Sequence, residues 1–135
     1  MTLLTWSHAC TVGVKAMDDQ HGILMDTMNE LRDDLLHGCN REQLDESLER
    51  LVDFTRKHFA SEEHLLQAYN FPGLLEHRAA HQRLLSEIRK TVRRAENCDS
   101  LQVHPLLEFL RSWYMEHIES LDRQYGPWLN ARGVY

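Results

Sequence analysis

Apolar residues recur along this chain in steps of three and four, the spacing that lines one face of an α-helix. The first stripe is His21, Leu24, Met28, Leu31 and Leu35. It predicts a helix that opens at Asp18 or Asp19, both acceptable N-caps, and stops near Gly38. A second stripe starts after Asn40 and runs through Leu44, Leu48, Leu51, Thr55, His58, Glu62 and Leu65. The third follows the Pro72-Gly73 break with Leu74, His77, His81, Leu84, Ile88 and Val92, and finishes near Asn97. The fourth, preceded by Asp99, Ser100 and Pro105, carries Leu106, Leu110, Trp113, His117 and Leu121, with Gly126 and Pro127 expected to close it. Residues 1–17 show short apolar alternation and no helical cap, and read as an extended N-terminal arm whose Trp6 packs on the body.

Four amphipathic helices joined by short loops pack most simply as antiparallel neighbours. The expected fold is therefore all-α, an up-down-up-down antiparallel four-helix bundle in one domain: arm 1–17, bundle 18–126 and tail 127–135. A chain of 135 residues is long enough to hold such a core without staples, since folding should bury roughly two-thirds of its extended surface.

Composition narrows the function classes. A net charge of −6 with no basic stripe argues against nucleic acid as a partner. Apolar runs fall far short of the roughly 20 residues that span a bilayer, so no membrane is expected. The opening MTLLTWSHACTVGV has neither a basic nor a long apolar leader region. Cys10, Cys39 and Cys98 form no CxxC pair and read as structural or incidental in a reducing compartment, which makes the location cytoplasmic.

The stripes change character at one depth. His21 lies at the start of the first helix, His58 and Glu62 at the end of the second, His77 and His81 at the start of the third, and His117 toward the end of the fourth. In an antiparallel bundle those places share one layer. Burying an ionised carboxylate among imidazoles without a cation would cost several kcal/mol, so a metal site is the better reading. Asp122 is a further candidate with an obstacle, because five steps of about 100° leave it roughly 140° away from His117 on a regular helix. A π turn, which widens the helix locally, would bring both to one site. Five imidazoles and two carboxylates suit two metals, and five histidines can only be shared unevenly, which leaves one metal with an open position. Nitrogen-rich, carboxylate-bridged and thiolate-free ligation fits iron better than magnesium, calcium or a structural zinc.

These residues resemble the hemerythrin family, in particular its single-domain bacterial members. The likeness spans nearly the whole chain: Trp6, Val12-Gly13-Val14, Met17-Asp18, Gln20-His21, His58-Phe59, Glu62-Glu63, Tyr69, Phe71-Pro72, His77 with His81, Trp113, His117-Ile118 and Asp122. The resemblance implies a non-haem di-iron centre, two oxo- or hydroxo-bridged iron ions with Glu62 and Asp122 bridging. His77, His81 and His117 would hold the saturated iron, and His21 and His58 the iron with the open position. It further implies reversible O2 binding without catalysis, for oxygen storage, delivery or sensing, and as partner an electron-donor or O2-accepting protein.

Leu24, Phe59, Trp113 and Ile118 flank ligand positions and are expected to wall an O2 pocket. Tyr114 falls where an aliphatic wall residue is expected, and its phenol either approaches that pocket or reaches solvent at the helix edge. His8, His37, His64 and His104 read as solvated histidines, Glu63 as a surface carboxylate, and Arg89, Lys90, Arg93 and Arg94 as a solvated helix face. The competing function is a di-iron redox enzyme acting on peroxide, nitric oxide or nitrite. A mostly apolar pocket without a general acid beyond the ligands favours binding over turnover.

Overall fold

The computed structural model describes residues 11–37, 41–96 and 103–135. Among these it holds helices and no strand: α1 (Lys15–Leu36), α2 (Arg41–Ala68), α3 (Leu74–Glu96), α4 (Val103–His117), a π turn (Ile118–Asp122) and α5 (Arg123–Asn130). α4, the π turn and α5 run on as one rod, and successive helices pack on one another, which gives the four-helix up-down-up-down bundle. No described helix is long and apolar enough to cross a membrane.

Burial follows the apolar stripes. Leu24, Met28 and Leu31 of α1, Leu48 and Leu51 of α2, and Leu84 and Ile88 of α3 are all inside. Trp6, His8, Cys10, Gly38, Cys39, Asn97, Cys98, Asp99 and Ser100 lie outside the described residues, as do the side chains of Leu35, Val92, Arg94, His104 and Leu106.

Two helix boundaries differ from the expectation. α1 begins at Lys15, ahead of Asp18. The Val14 carbonyl accepts from the Met17 and Asp18 N–H groups at 3.0 and 2.9 Å, so the helix is already formed when Asp18 is reached. Asp18 instead turns its carboxylate back to accept from the N–H groups of Val12 (2.8 Å) and Gly13 (3.3 Å). At the other end Gly126 and Pro127 do not stop the fourth helix, which continues to Asn130. A Cβ on Gly126 would sit 1.9 Å from the Val12 carbonyl oxygen, so this glycine serves a backbone-to-backbone crossing with the N-terminal segment. Pro127 is exposed and withdraws one helical bond on the outer side of the rod. The true stop is at Gly133 (φ +83), where the Val134 N–H reaches back to the Leu129 carbonyl at 3.0 Å.

The turn between α2 and α3 is where the break was expected. Asn70 adopts φ 57, and the Phe71 N–H donates to the Leu66 carbonyl (2.9 Å) while the Asn70 N–H donates to that of Gln67 (3.1 Å). That is a Schellman close, with buried Leu66 and Phe71 as its apolar pair. It turns the chain so that the end of α2 faces the start of α3.

Candidate metal centre

His21 from α1, His58 and Glu62 from α2, His77 and His81 from α3, and His117 and Asp122 on either side of the π turn converge in the core, each at most 6% exposed. The spacing of four within the α2 and α3 pairs puts both members of each pair on one face. The fourth helix needs more. On a regular helix Leu121 would follow His117 inward, as the apolar stripe suggested. Instead the Arg123 N–H bonds the Ile118 carbonyl five residues back, which widens the turn by one residue. Asp122 takes the inward place at 1% exposed and Leu121 is left half-buried, while Tyr125 and Leu129 continue the buried phase.

The donors fall into two sets. Glu62 Oε1 lies 2.9 and 3.1 Å from the Nε2 atoms of His77 and His81, and Asp122 Oδ1 lies 2.7 and 2.9 Å from those of His77 and His117. The second oxygens face elsewhere: Glu62 Oε2 is 3.7 Å from Nε2 of both His21 and His58, and Asp122 Oδ2 is 3.2 Å from His21 Nε2. One carboxylate oxygen of each residue therefore serves a three-histidine set and the other a two-histidine set.

Charge balance follows from this packing. Burial works against a proton on His21 and His77, yet Asp122 and Glu62 outweigh it and raise both to about 9. His58 is pushed down to about 4 by burial, which Glu62 only partly offsets. Burial opposes charge on Glu62 and Asp122 as well, but the surrounding imidazoles hold both carboxyls well below their ordinary range.

Three residues outside the donor set hold it in place, and none had been given that role from the sequence. Tyr125, fully buried, donates its hydroxyl to Glu62 Oε2 at 2.8 Å, and burial beside that carboxylate raises its pKa well above the ordinary value. Gln20 Oε1 accepts from His58 Nδ1 at 2.7 Å, while its Nε2 donates to Ser61 Oγ at 3.1 Å. Glu63 corrects the reading as a surface carboxylate. Its Oε2 lies 2.9 Å from His81 Nδ1 and its Oε1 3.4 Å from Arg78 Nε. Being one step off the ligand face of α2 turns Glu63 toward α3, where His81 waits. Tyr125 lies three residues after Asp122, a spacing that could have flagged it.

Aromatic rings pack around the donors. Phe59 stacks on His81 with centroids 3.8 Å apart, and Trp113 stacks on His117 at 4.5 Å. Tyr114 is buried, not at the solvent edge, and meets His21 edge to face at 5.9 Å. Leu24 and Ile118 are buried in the same core. Away from it His64 is exposed, and His37 is exposed with its Nδ1–H on the Asp33 carbonyl at 2.7 Å. Arg89, Lys90 and Arg93 are exposed as expected.

The donor set fits a cation. Neither ring nitrogen of His21, nor Glu62 Oε1, nor Asp122 Oδ2 makes a well-formed hydrogen bond. His81 and His117 point their Nε2 atoms at each other across 3.2 Å. Buried polar atoms so arranged are costly unless a positive ion is their partner. Imidazole with carboxylate and no thiolate is a donor set that non-haem iron accepts.

Comparison with known proteins agrees. The chain is 31% identical over 132 residues to the bacteriohemerythrin of Methylococcus capsulatus (strain Bath), covering 97% of this chain and 100% of that protein. It is 29% identical to the bacteriohemerythrin of Ralstonia nicotianae, covering 98% and 93%. A crystal structure of wild-type hemerythrin superposes with a TM-score of 0.78 at 31% identity, over 93% of this chain and 96% of that one. Residues 12–129 match the family described as the hemerythrin HHE cation binding domain, and the chain belongs to that family.

Proposed function

We propose that this chain binds O2 reversibly at two non-haem iron ions, for oxygen storage, delivery or sensing. The observation that carries the reading is that Glu62 and Asp122 each divide their two oxygens between a three-histidine and a two-histidine set. Two bridging carboxylates over unequal donor sets provide for a pair of ions of which one is fully ligated and the other has a position open. Two iron ions bound there would supply the reversible electron transfer that binding and release of O2 require. The chain does the rest. His77, His81 and His117 would hold one ion, and His21 and His58 the other. Glu62 and Asp122 would each offer an oxygen to both ions, and the Tyr125 hydroxyl holds Glu62 in place. Leu24, Phe59, Trp113 and Ile118 keep the space dry, which suits a site whose task is to bind and release. An electron-donor or O2-accepting protein is the expected partner.

A second reading, a di-iron redox enzyme acting on peroxide, nitric oxide or nitrite, draws on one observation: a phenol, that of Tyr114, lies beside His21 on the two-histidine side. One experiment separates the two. The iron-loaded protein is reduced without oxygen, O2 is admitted and the visible spectrum recorded. A band that forms and disappears when O2 is removed supports binding. Rapid oxidation with no such band supports the enzyme, and a preparation holding zinc and no iron defeats both.

A further inference from the structure

The rings that face the two halves of the centre are held from behind by different chemistry. His58 Nδ1 lies 2.7 Å from Gln20 Oε1, an amide oxygen that can only accept, so that nitrogen carries the proton and Nε2 turns its lone pair inward. In the same arrangement Gln20 Nε2 donates to Ser61 Oγ at 3.1 Å, and a lone pair on His58 Nε2 toward the centre requires the proton on Nδ1, which the Gln20 oxygen accepts. His81 Nδ1 lies 2.9 Å from Glu63 Oε2, a carboxylate oxygen, so the same tautomer results. The acceptors differ by a full charge. Glu63 is 24% exposed and is steadied by Arg78, whose Nε is 3.4 Å from its Oε1 and whose Nη2 donates to Gln67 Oε1 at 3.0 Å.

We infer that Glu63 and Gln20 are positioning residues that make the two iron sites unequal: Glu63, through His81, strengthens the three-histidine site, while Gln20, through His58, orients the two-histidine site without charging it. A carboxylate draws on the Nδ1 proton more strongly than a neutral amide does, and the density displaced along the ring makes Nε2 the better donor. The His81 side is thereby biased toward tight retention and toward the more oxidised ion. The His58 side keeps a weaker-field imidazole next to the position where a small molecule binds. Glu63 sits between α2 and α3 like a strap, and Arg78 is the hand that holds it.

This inference rests on the proposed di-iron reading, and the test keeps the two apart. Wild type, Glu63→Gln, Gln20→Glu and Arg78→Ala are loaded with iron, then challenged with a chelator while iron release is followed. Midpoint potentials and the thermal unfolding of the metal-free forms are measured alongside. Wild type is expected to release iron in two phases. Glu63→Gln keeps an acceptor but loses the charge, and should speed the slow phase roughly tenfold, at the low end of what loss of such a partner costs, while leaving the fast phase alone. It should also raise the midpoint potential. Gln20→Glu should slow the fast phase and lower the potential, and Arg78→Ala should shift the slow phase in the direction of Glu63→Gln but less. Equal release by wild type and Glu63→Gln overturns the inference. So does acceleration of both phases together with loss of metal-free stability, which is the mark of a merely structural role. Release of one iron in a single phase by the wild type defeats the di-iron reading itself, and this inference with it.

Discussion

The two halves of the centre share Glu62 and Asp122 but little else. On the three-histidine side His81 lies under Phe59 (3.8 Å, 3° between planes) and His117 under Trp113 (4.5 Å, 15°), and the Nε2 atoms approach the carboxylates to 2.7–3.1 Å. On the two-histidine side those approaches lengthen to 3.2–3.7 Å, and His21 has no well-formed hydrogen bond on either ring nitrogen. One half is clamped by stacking and short contacts. The other is looser, and it is the half proposed to admit a ligand.

The largest blow to this asymmetry is Phe59→Ala. Truncating a phenylalanine that is 2% exposed should cost about 3–5 kcal/mol in the metal-free chain. It should loosen His81 first, which denaturant unfolding and iron content together would reveal. Tyr125→Phe comes next, because it removes a hydroxyl bonded to the shared Glu62. A loss of about 1.5–3 kcal/mol is expected, with iron retention weakened most on the two-histidine side, which Oε2 faces. Weakening confined to the three-histidine side would mean that Glu62 does not divide its two oxygens between the sets as their contacts suggest.

The pH response probes what the halves have in common, since each holds one proton-rich ring. His21 and His77 sit at about 9 in the folded metal-free chain against an ordinary 6.5. A raised folded value contributes stability that is fully present below about 6.5 and is lost as pH rises through about 9. Iron needs those rings deprotonated, so its apparent affinity should climb across the same window. Metal-free melting temperatures falling from pH 6.5 to 9, with proton release on iron loading, would show both. Glu62 and Asp122, held low, matter only in more acidic solution.

Tyr114→Phe is the smallest and most selective change. It should shift stability by less than about 1 kcal/mol and leave iron retention intact, while altering autoxidation and O2 release through the phenol beside His21. Unchanged rates would return Tyr114 to the role of core filler.

The sequence by itself determined the helices and the layer. Steps of three and four cannot bury an apolar stripe in any other regular structure, and substituting histidine for leucine at one depth of four stripes names the donor set before any contact is seen. Asp122 was legible only conditionally, since its use depends on a π turn that no side-chain pattern on the fourth helix demands. Tertiary structure decided that turn, because the cost of widening one helix is met by the contacts of Asp122 with His21 of α1 and His77 of α3. It decided the roles of Gln20, Glu63 and Tyr125, each of which acts across a helix boundary that periodicity cannot see. The same holds for Gly126: the pattern Gly-Pro reads locally as a stop, but the position answers to the Val12 carbonyl, more than a hundred residues away in the chain and 1.9 Å from where a side chain would begin.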